Sequence, residues 1–165
     1  MLLYFCAMNK KEIKSEFVEY DSVTELGSAE QNLILEAERA AKNAYAPYSE
    51  FKVGAAVLFE DGKIICGSNQ ENASYSSGLC AERVALFAAS AQNPSVKITH
   101  IAVTSSSQNP AAPCGACRQV ISEYEMLHNH PVSILLKSSS SGKIISARGI
   151  KNFLPLMFTR KDLEK

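Results

Sequence analysis

The spacing of apolar residues predicts helices and strands in alternation. Helical spacing runs from Leu33 to Ala44, is dense over 80–92 and returns over 114–127. Strand-like runs rich in β-branched residues occupy 51–60, 63–69, 99–105, 131–137 and 143–147. The turn DGK at 61–63 joins the first two strands into a hairpin.

Alternating helices and strands predict an α/β fold, in which helices cover the faces of a sheet. We expect three layers, α/β/α, around a mixed sheet of about five strands, because the hairpin adds an antiparallel pair.

Two helix ends are also predicted. Ser28 and Gln31 fit a capping box at the start of the first helix, and a short last helix runs over 151–158, limited by Pro155.

The 165 residues suffice for one domain, and no repeat or linker divides them. We therefore expect a single domain over 28–165, preceded by an N-terminal extension over 1–27, with a hypothetical natural start at Met8. The apolar run 1–8 is too short to span a bilayer, and positive charge follows it instead of preceding it as in a secretory signal. These features predict a cytoplasmic protein without a membrane partner.

The charge balance argues against a polynucleotide substrate. Apolar residues make up 46% of the chain, charged residues 21%, and the net charge is zero, with 17 basic and 17 acidic side chains. A protein that binds nucleic acid through its phosphates is expected to carry a basic surplus. Nucleic acid is therefore not an expected partner.

Cysteine spacing gives the first indication of chemistry. Of five cysteines, Cys114 and Cys117 form a C-x-x-C pair that could be a redox couple or part of a zinc site. A thioredoxin-like pair follows the first strand of its fold, whereas this one follows a hairpin, a helix and another strand. A closed four-cysteine zinc ribbon would need a second C-x-x-C pair, which the chain lacks.

A third cysteine has matching context. Cys80 begins the helix 80–92 as Cys114 begins the helix after it, and helix starts favour thiolates. If both starts lie at one sheet edge, three thiolates could hold one Zn²⁺ and leave its fourth position open, as catalytic sites do. Glu82, in the first turn, could reach a zinc-bound water as a general base. On its own, it would more simply be a solvated first-turn acid.

The other potential ligands are expected to play no part in this site. Cys6 and Cys66 are interpreted as small hydrophobic residues. The three histidines lack a patterned third ligand and are assigned to surface or loop positions: His100, His128 and His130.

C-A-E at 80–82 with P-C-G-A-C at 113–117 matches a signature of zinc-dependent base deaminases. Together with A-P-Y-S-x-F-x-V-G-A at 46–55 and N-x-E-N-A-x-Y at 69–75, it makes the chain resemble the small homotetrameric cytidine deaminases. The resemblance implies deamination of cytidine and 2′-deoxycytidine in pyrimidine salvage, with one Zn²⁺ per chain. A zinc-bound hydroxide would attack, and Glu82 would carry the protons.

The resemblance implies further roles around the zinc. Arg83 would hydrogen-bond the zinc-bound sulfurs, although a surface charge is the plainer interpretation. Asn69 and Glu71 would bind the sugar hydroxyls, where the alternative is a polar strand end entering a loop. Phe51 would flank the base, unless it is a core residue.

Backbone groups and neighbouring subunits complete the implied site. The backbone of Ala81 and the carbonyl of Ala112 would bind the polar edge of the base, with Pro113 fixing the turn. Neighbouring subunits would supply Ala73, Tyr75 and Phe158, and for Phe158 core packing is an equal alternative.

Two other functions stay open. One is deamination of a modified pyrimidine nucleoside such as blasticidin S, since antibiotic deaminases share the zinc motifs. The other is a non-catalytic zinc-stabilised protein. Glu82 argues against this second function, because a structural site needs no base and usually has four ligands.

Overall fold

The computed structural model describes residues 9–164, so the hypothetical start at Met8 and Cys6 lie outside it. Within these residues, three α-helices and six strands follow one another. In order they are β1 (Val18–Tyr20), α1 (Ser28–Ala41), β2 (Val53–Phe59), β3 (Ile64–Ser68), α2 (Ala81–Gln92), β4 (Ile98–Ser105), α3 (Gly115–His128), β5 (Ser133–Ser138) and β6 (Ile144–Arg148). Within 9–164, no helix combines the length and apolar character needed to cross a bilayer.

All strands belong to one mixed sheet in the order β1-β6-β5-β4-β2-β3. The β4–β5 pair is parallel, and every other neighbouring pair is antiparallel. Because β2 is antiparallel to both β3 and β4, the strands β3, β4 and β5 all run in the same direction. The helices α2 and α3 connect these three parallel strands in succession.

Helices cover both faces of the sheet, which confirms the predicted three-layer α/β/α fold. On β2, Ala55 and Val57 face α2 and α3, whereas Ala56 and Leu58 face α1. All of β2 from Gly54 to Phe59 is buried. A strand covered on both faces is continuously apolar, as this one is.

The sixth strand comes from the segment interpreted as an N-terminal extension. β1 pairs antiparallel with β6, placing Val18 opposite Ser146 and Tyr20 opposite Ile144. Its three residues are exposed or half-buried, so they carry no alternation of apolar and polar positions. A strand this short gives almost no sequence signal.

Two predicted helix ends were wrong. The first helix is capped at Gly27, whose N–H donates to Glu30 Oε2 at 3.1 Å, and not by a capping box of Ser28 and Gln31. No helix spans 151–158, where a single 3₁₀ turn, Ile150–Asn152, is followed by irregular chain. Pro155 accounts for this end, because it lacks an N–H and disfavours helical geometry in the preceding residue.

A glycine on β3 lets α2 approach the sheet closely. A Cβ atom placed on Gly67 would lie 2.5 Å from the backbone nitrogen of Ala85 and 3.0 Å from the carbonyl oxygen of Ala81. The first two turns of α2 therefore rest directly on the backbone of β3. Any larger residue at this position must push the start of α2 away from the sheet.

We predict that Gly67→Ala lowers the free energy of unfolding by about 1–3 kcal/mol, the usual cost of overpacking. Gly115→Ala is the matched control, because a Cβ on Gly115 would meet nothing within 4 Å. Urea unfolding followed by circular dichroism measures both. Equal stability of Gly67→Ala and the wild-type chain would contradict the close packing of α2 on β3.

Candidate active site

Three thiols converge where α2 and α3 begin. Cys80 is the N-cap residue of α2, Cys114 is the N-cap residue of α3, and Cys117 lies in the first turn of α3. The Sγ atoms of Cys80 and Cys114 are 3.8 Å apart, and those of Cys114 and Cys117 are 3.5 Å apart. All three sulfurs lie within 4.8 Å of one another.

These separations fit a single zinc ion. With Zn–S bonds of about 2.3 Å, the ligands of a tetrahedral site are roughly 3.8 Å apart. Three sulfurs would occupy three corners of such a site and would leave the fourth position to a small molecule. Within residues 9–164, no other three histidine, cysteine or acidic side chains form a comparable group. Cys66 lies apart on β3, and the histidines His100, His128 and His130 are likewise not in the cluster.

Arg83 contributes positive charge at the thiols. Its Nη2 donates to Cys80 Sγ at 3.8 Å. Hydrogen bonds from Cys117 and then from Arg83 lower the pKa of Cys80 to about 5. The interaction with Cys80, followed by burial, raises the pKa of Cys117. Of these two thiols, Cys80 is the one whose surroundings favour the thiolate form.

Glu82 lies beside the thiols in an unusually dry environment for an acid. It is only 5% exposed, in the first turn of α2. Burial raises the pKa of its carboxyl, and the charge of Cys80 acts in the same direction. A raised pKa brings a carboxyl closer to neutral pH, where it can both accept and return a proton.

A cavity of about 460 Å³ opens next to Cys80 and Arg83. This volume is in the range of small-molecule sites. Its polar and aromatic lining includes Tyr48, Ser49, Asn69, Glu71 and Tyr75. The cavity thus places amide, hydroxyl and carboxylate groups on the approach to the thiols.

The side chain of Asn69 hydrogen-bonds to the backbone at the start of β2. Its Oδ1 accepts a hydrogen bond from the N–H of Val53 at 2.8 Å, and its Nδ2 donates to the carbonyl of Phe51 at 2.9 Å. A side-chain amide has two N–H donors and two lone pairs. Asn69 therefore keeps one donor and one acceptor for a ligand in the cavity.

Glu71 organises the loop that precedes β2. It accepts hydrogen bonds from the Ser49 hydroxyl and from the N–H groups of Tyr48, at 2.9 Å, and Ser49, at 3.3 Å. The Ser49 hydroxyl first, and then these N–H groups, lower the pKa of Glu71. Sequence reasoning did not single out Tyr48 and Ser49 as individual residues, although both belong to the quoted A-P-Y-S stretch.

The remaining predicted site residues lie outside the cavity or at its rim. Phe51 is 38% exposed, and Phe158 is 59% exposed with its carbonyl accepting from Gln119 Nε2 at 2.7 Å. Tyr75 is 81% exposed, and its ring centroid lies 6.1 Å from that of Tyr48. Five of the predicted substrate-binding residues are not among those lining the cavity of the single chain: Phe51, Ala73, Ala81, Ala112 and Phe158.

We predict that, after metal removal with a chelator, iodoacetamide labels Cys80 with a midpoint near pH 5. The thiolate is the reactive form, so labelling persists above this pH and is lost below it. Arg83→Met raises the midpoint because it removes a hydrogen bond to the sulfur. Peptide mass spectrometry measures both, with Cys66 as internal control, since partial burial raises its pKa. A Cys80 midpoint as high as that of Cys66 would contradict this electrostatic description.

Known proteins share both the sequence and the fold. Residues 28–129 match the family model described as the cytidine and deoxycytidylate deaminase zinc-binding region. A cytidine deaminase of Sporosarcina psychrophila is 40% identical over 81% of this chain and 93% of its own length. One of Halalkalibacterium halodurans is 52% identical over 56% of this chain and 70% of its own.

A solved structure agrees as well. The crystal structure of cytidine deaminase from Burkholderia pseudomallei superposes with a TM-score of 0.68 at 42% identity. The match covers 77% of this chain and 97% of that one. The chain therefore belongs to the cytidine and deoxycytidylate deaminase family of zinc-dependent enzymes.

Proposed function

We propose that the protein hydrolyses the 4-amino group of cytidine and 2′-deoxycytidine, giving uridine, 2′-deoxyuridine and ammonia, as a step of pyrimidine salvage. One observation carries the proposal: three thiols spaced for a zinc ion stand next to the buried carboxyl of Glu82. The relatives that bear the name cytidine deaminase support the choice of substrate. A cytoplasmic location stays a prediction from the sequence.

Cys80, Cys114 and Cys117 would hold the metal as thiolates. When bound, a zinc ion acts as a Lewis acid that makes a water molecule acidic at neutral pH. Three thiolates give the site a net charge of −1, which weakens this effect. The hydrogen bond from Arg83 to Cys80 draws electron density from the sulfur and offsets part of that loss.

Glu82 would move the protons. It accepts one from the attacking water, delivers it to N3 of the pyrimidine ring, and later assists the departure of ammonia from C4. The water oxygen becomes the 4-carbonyl of the product. Burial suits Glu82 to this work, because a raised pKa makes protonated and ionised forms accessible within one cycle.

The polar wall of the cavity would bind the sugar. Asn69 offers its remaining donor and acceptor to a ribose hydroxyl, and the Glu71 carboxylate accepts from another. Because its hydrogen bonds keep Glu71 ionised, a phosphate on the sugar would be repelled. This repulsion favours a free nucleoside over a nucleotide or polynucleotide.

The base would be oriented by Phe51 and two backbone groups. Phe51 is exposed enough to flank a ring. The N–H of Ala81, in the first turn of α2, has no partner within the helix. This N–H and the carbonyl of Ala112 would contact the polar edge of the pyrimidine.

Neighbouring copies of the chain would complete the site in a homotetramer. Ala73, Tyr75 and Phe158 are exposed in the single chain, and exposed aromatic side chains are frequent at interfaces. We predict that light scattering after gel filtration gives a tetramer that carries all the deaminase activity. An active monomer would overturn the shared site.

The proposed substrate is tested directly with a panel followed by ultraviolet absorbance. We predict turnover of cytidine and 2′-deoxycytidine, with CMP and free cytosine far slower, because the first meets the charge of Glu71 and the second lacks the sugar. Turnover of CMP, cytosine or blasticidin S without either nucleoside would refute the proposal.

We predict that Glu82→Gln lowers kcat by about 10²-fold or more, as the loss of a general acid–base group does. The variant should retain about one zinc per chain, because Glu82 is not among the three ligands. Glu123→Gln, an exposed change on α3, is the control. Steady-state kinetics measure the rates, and elemental mass spectrometry measures the zinc content. A wild-type rate for Glu82→Gln would show that Glu82 is not the general acid–base group.

A further inference from the structure

The N-terminal strand lies outside the residues that match the family model. That match begins at residue 28, and β1 ends at Tyr20. The contacts of residues 16–20 therefore lie beyond the matched zinc-binding region.

Residues 16–17 contact the turn that follows β6 through one hydrogen bond and one aromatic pair. The N–H of Glu16 donates to Asn152 Oδ1 at 2.9 Å. Asn152, 8% exposed, in turn donates from Nδ2 to the carbonyl of Arg148 at 2.8 Å. The ring of Phe17 packs edge-on against Phe153, with centroids 5.0 Å apart and an interplanar angle of 77°.

Arg118 connects the same turn to the thiol cluster. Its Nη1 donates to the carbonyl of Phe153 at 2.9 Å, and its Nε donates to the carbonyl of Pro113 at 2.7 Å. Pro113 immediately precedes Cys114, and Arg118 immediately follows Cys117. One guanidinium thus bonds to the residue that precedes Cys114, at the start of the helix that carries two of the three thiols, and to the residue on which Phe17 packs.

A cavity of about 390 Å³ is lined by residues of both the N-terminal segment and the loop, among them Phe17, Ala112, Arg118 and Phe153. Phe17 is connected to the loop through its packing on Phe153 and through the two hydrogen bonds of Arg118. The guanidinium suits this connection, because its planar fork fixes two hydrogen bonds at a set angle, which a lysine ammonium cannot do.

We propose that Phe17 is a positioning residue for the zinc site, acting through Phe153 and Arg118 on the Pro113–Cys114 peptide. The N-terminal strand thereby holds the α3 half of the ligand set against the α2 half, which Cys80 supplies. For its effect on catalysis, the proposal rests on the function proposed above. Its effect on metal retention does not depend on which substrate the protein uses.

The first test compares Phe17→Ala with Val18→Ala in the full-length zinc-loaded protein. Both residues lie at β1 and are about half exposed, at 46% and 52%, so their truncations disturb the strand similarly. We expect Phe17→Ala to speed zinc release to a chromogenic chelator by about three- to tenfold, the equivalent of one aromatic pair. Val18→Ala should match the wild-type rate, and Phe17→Leu should recover part of the loss. Equal release rates for Phe17→Ala and Val18→Ala would overturn the proposal.

A double-mutant cycle tests the path. Arg118→Lys alone should speed zinc release by about tenfold, as the loss of an outer hydrogen bond to a metal site does. In the Arg118→Lys background, adding Phe17→Ala should change the zinc-release rate little further, because both substitutions disrupt the same path from Phe17 to the Pro113–Cys114 peptide. Multiplication of the two single effects would mean that they act independently, and would overturn the proposal. If Arg118→Lys fails to fold, the Phe17 and Val18 comparison alone still decides.

Kinetics separate this proposal from the proposed function. Phe17→Ala should lower the kcat for cytidine with little change in KM, since Phe17 does not line the nucleoside cavity. A fall in kcat no larger than that of Val18→Ala would count against the positioning role. If the wild-type chain does not deaminate cytidine at all, the proposed function fails, while the zinc-release rates still test Phe17.

Discussion

The proposed chemistry of this protein depends on bringing three sulfur atoms within 4.8 Å of one another, although Cys80 and Cys114 are 34 positions apart in the sequence. The topology of the sheet makes this possible. Since β3, β4 and β5 run parallel, the helices after β3 and β4 both begin near the carboxyl ends of their strands, at one edge of the sheet. Because Gly67 has no side chain, α2 packs close to β3, and the first turn of α2 lies near the first turn of α3.

Two carboxyl groups near this edge are given opposite properties by their surroundings. Glu82 is buried, and its pKa is raised. Glu71 accepts three hydrogen bonds from Tyr48 and Ser49, and its pKa is lowered. Such a separation is typical of sites in which one acid exchanges protons while another keeps its charge. The difference supports the proposed roles of Glu82 in proton transfer and of Glu71 in binding a sugar.

The sequence predicted the features that have a strong local pattern. The hairpin, α2 and α3 follow from apolar spacing and turn residues, and the thiol cluster follows from cysteines placed at two helix starts. β1 was missed because three half-exposed residues have no pattern. The connecting roles of Arg118 and Asn69 were missed because their partners are backbone groups, which sequence letters do not reveal.

The proposed chemistry requires one zinc ion held by Cys80, Cys114 and Cys117, with a fourth position open. X-ray absorption at the zinc edge of the purified protein measures this arrangement. We expect three sulfur neighbours at about 2.3 Å and one lighter oxygen or nitrogen neighbour. A shell of four sulfurs, or one in which nitrogen replaces a sulfur, would contradict it.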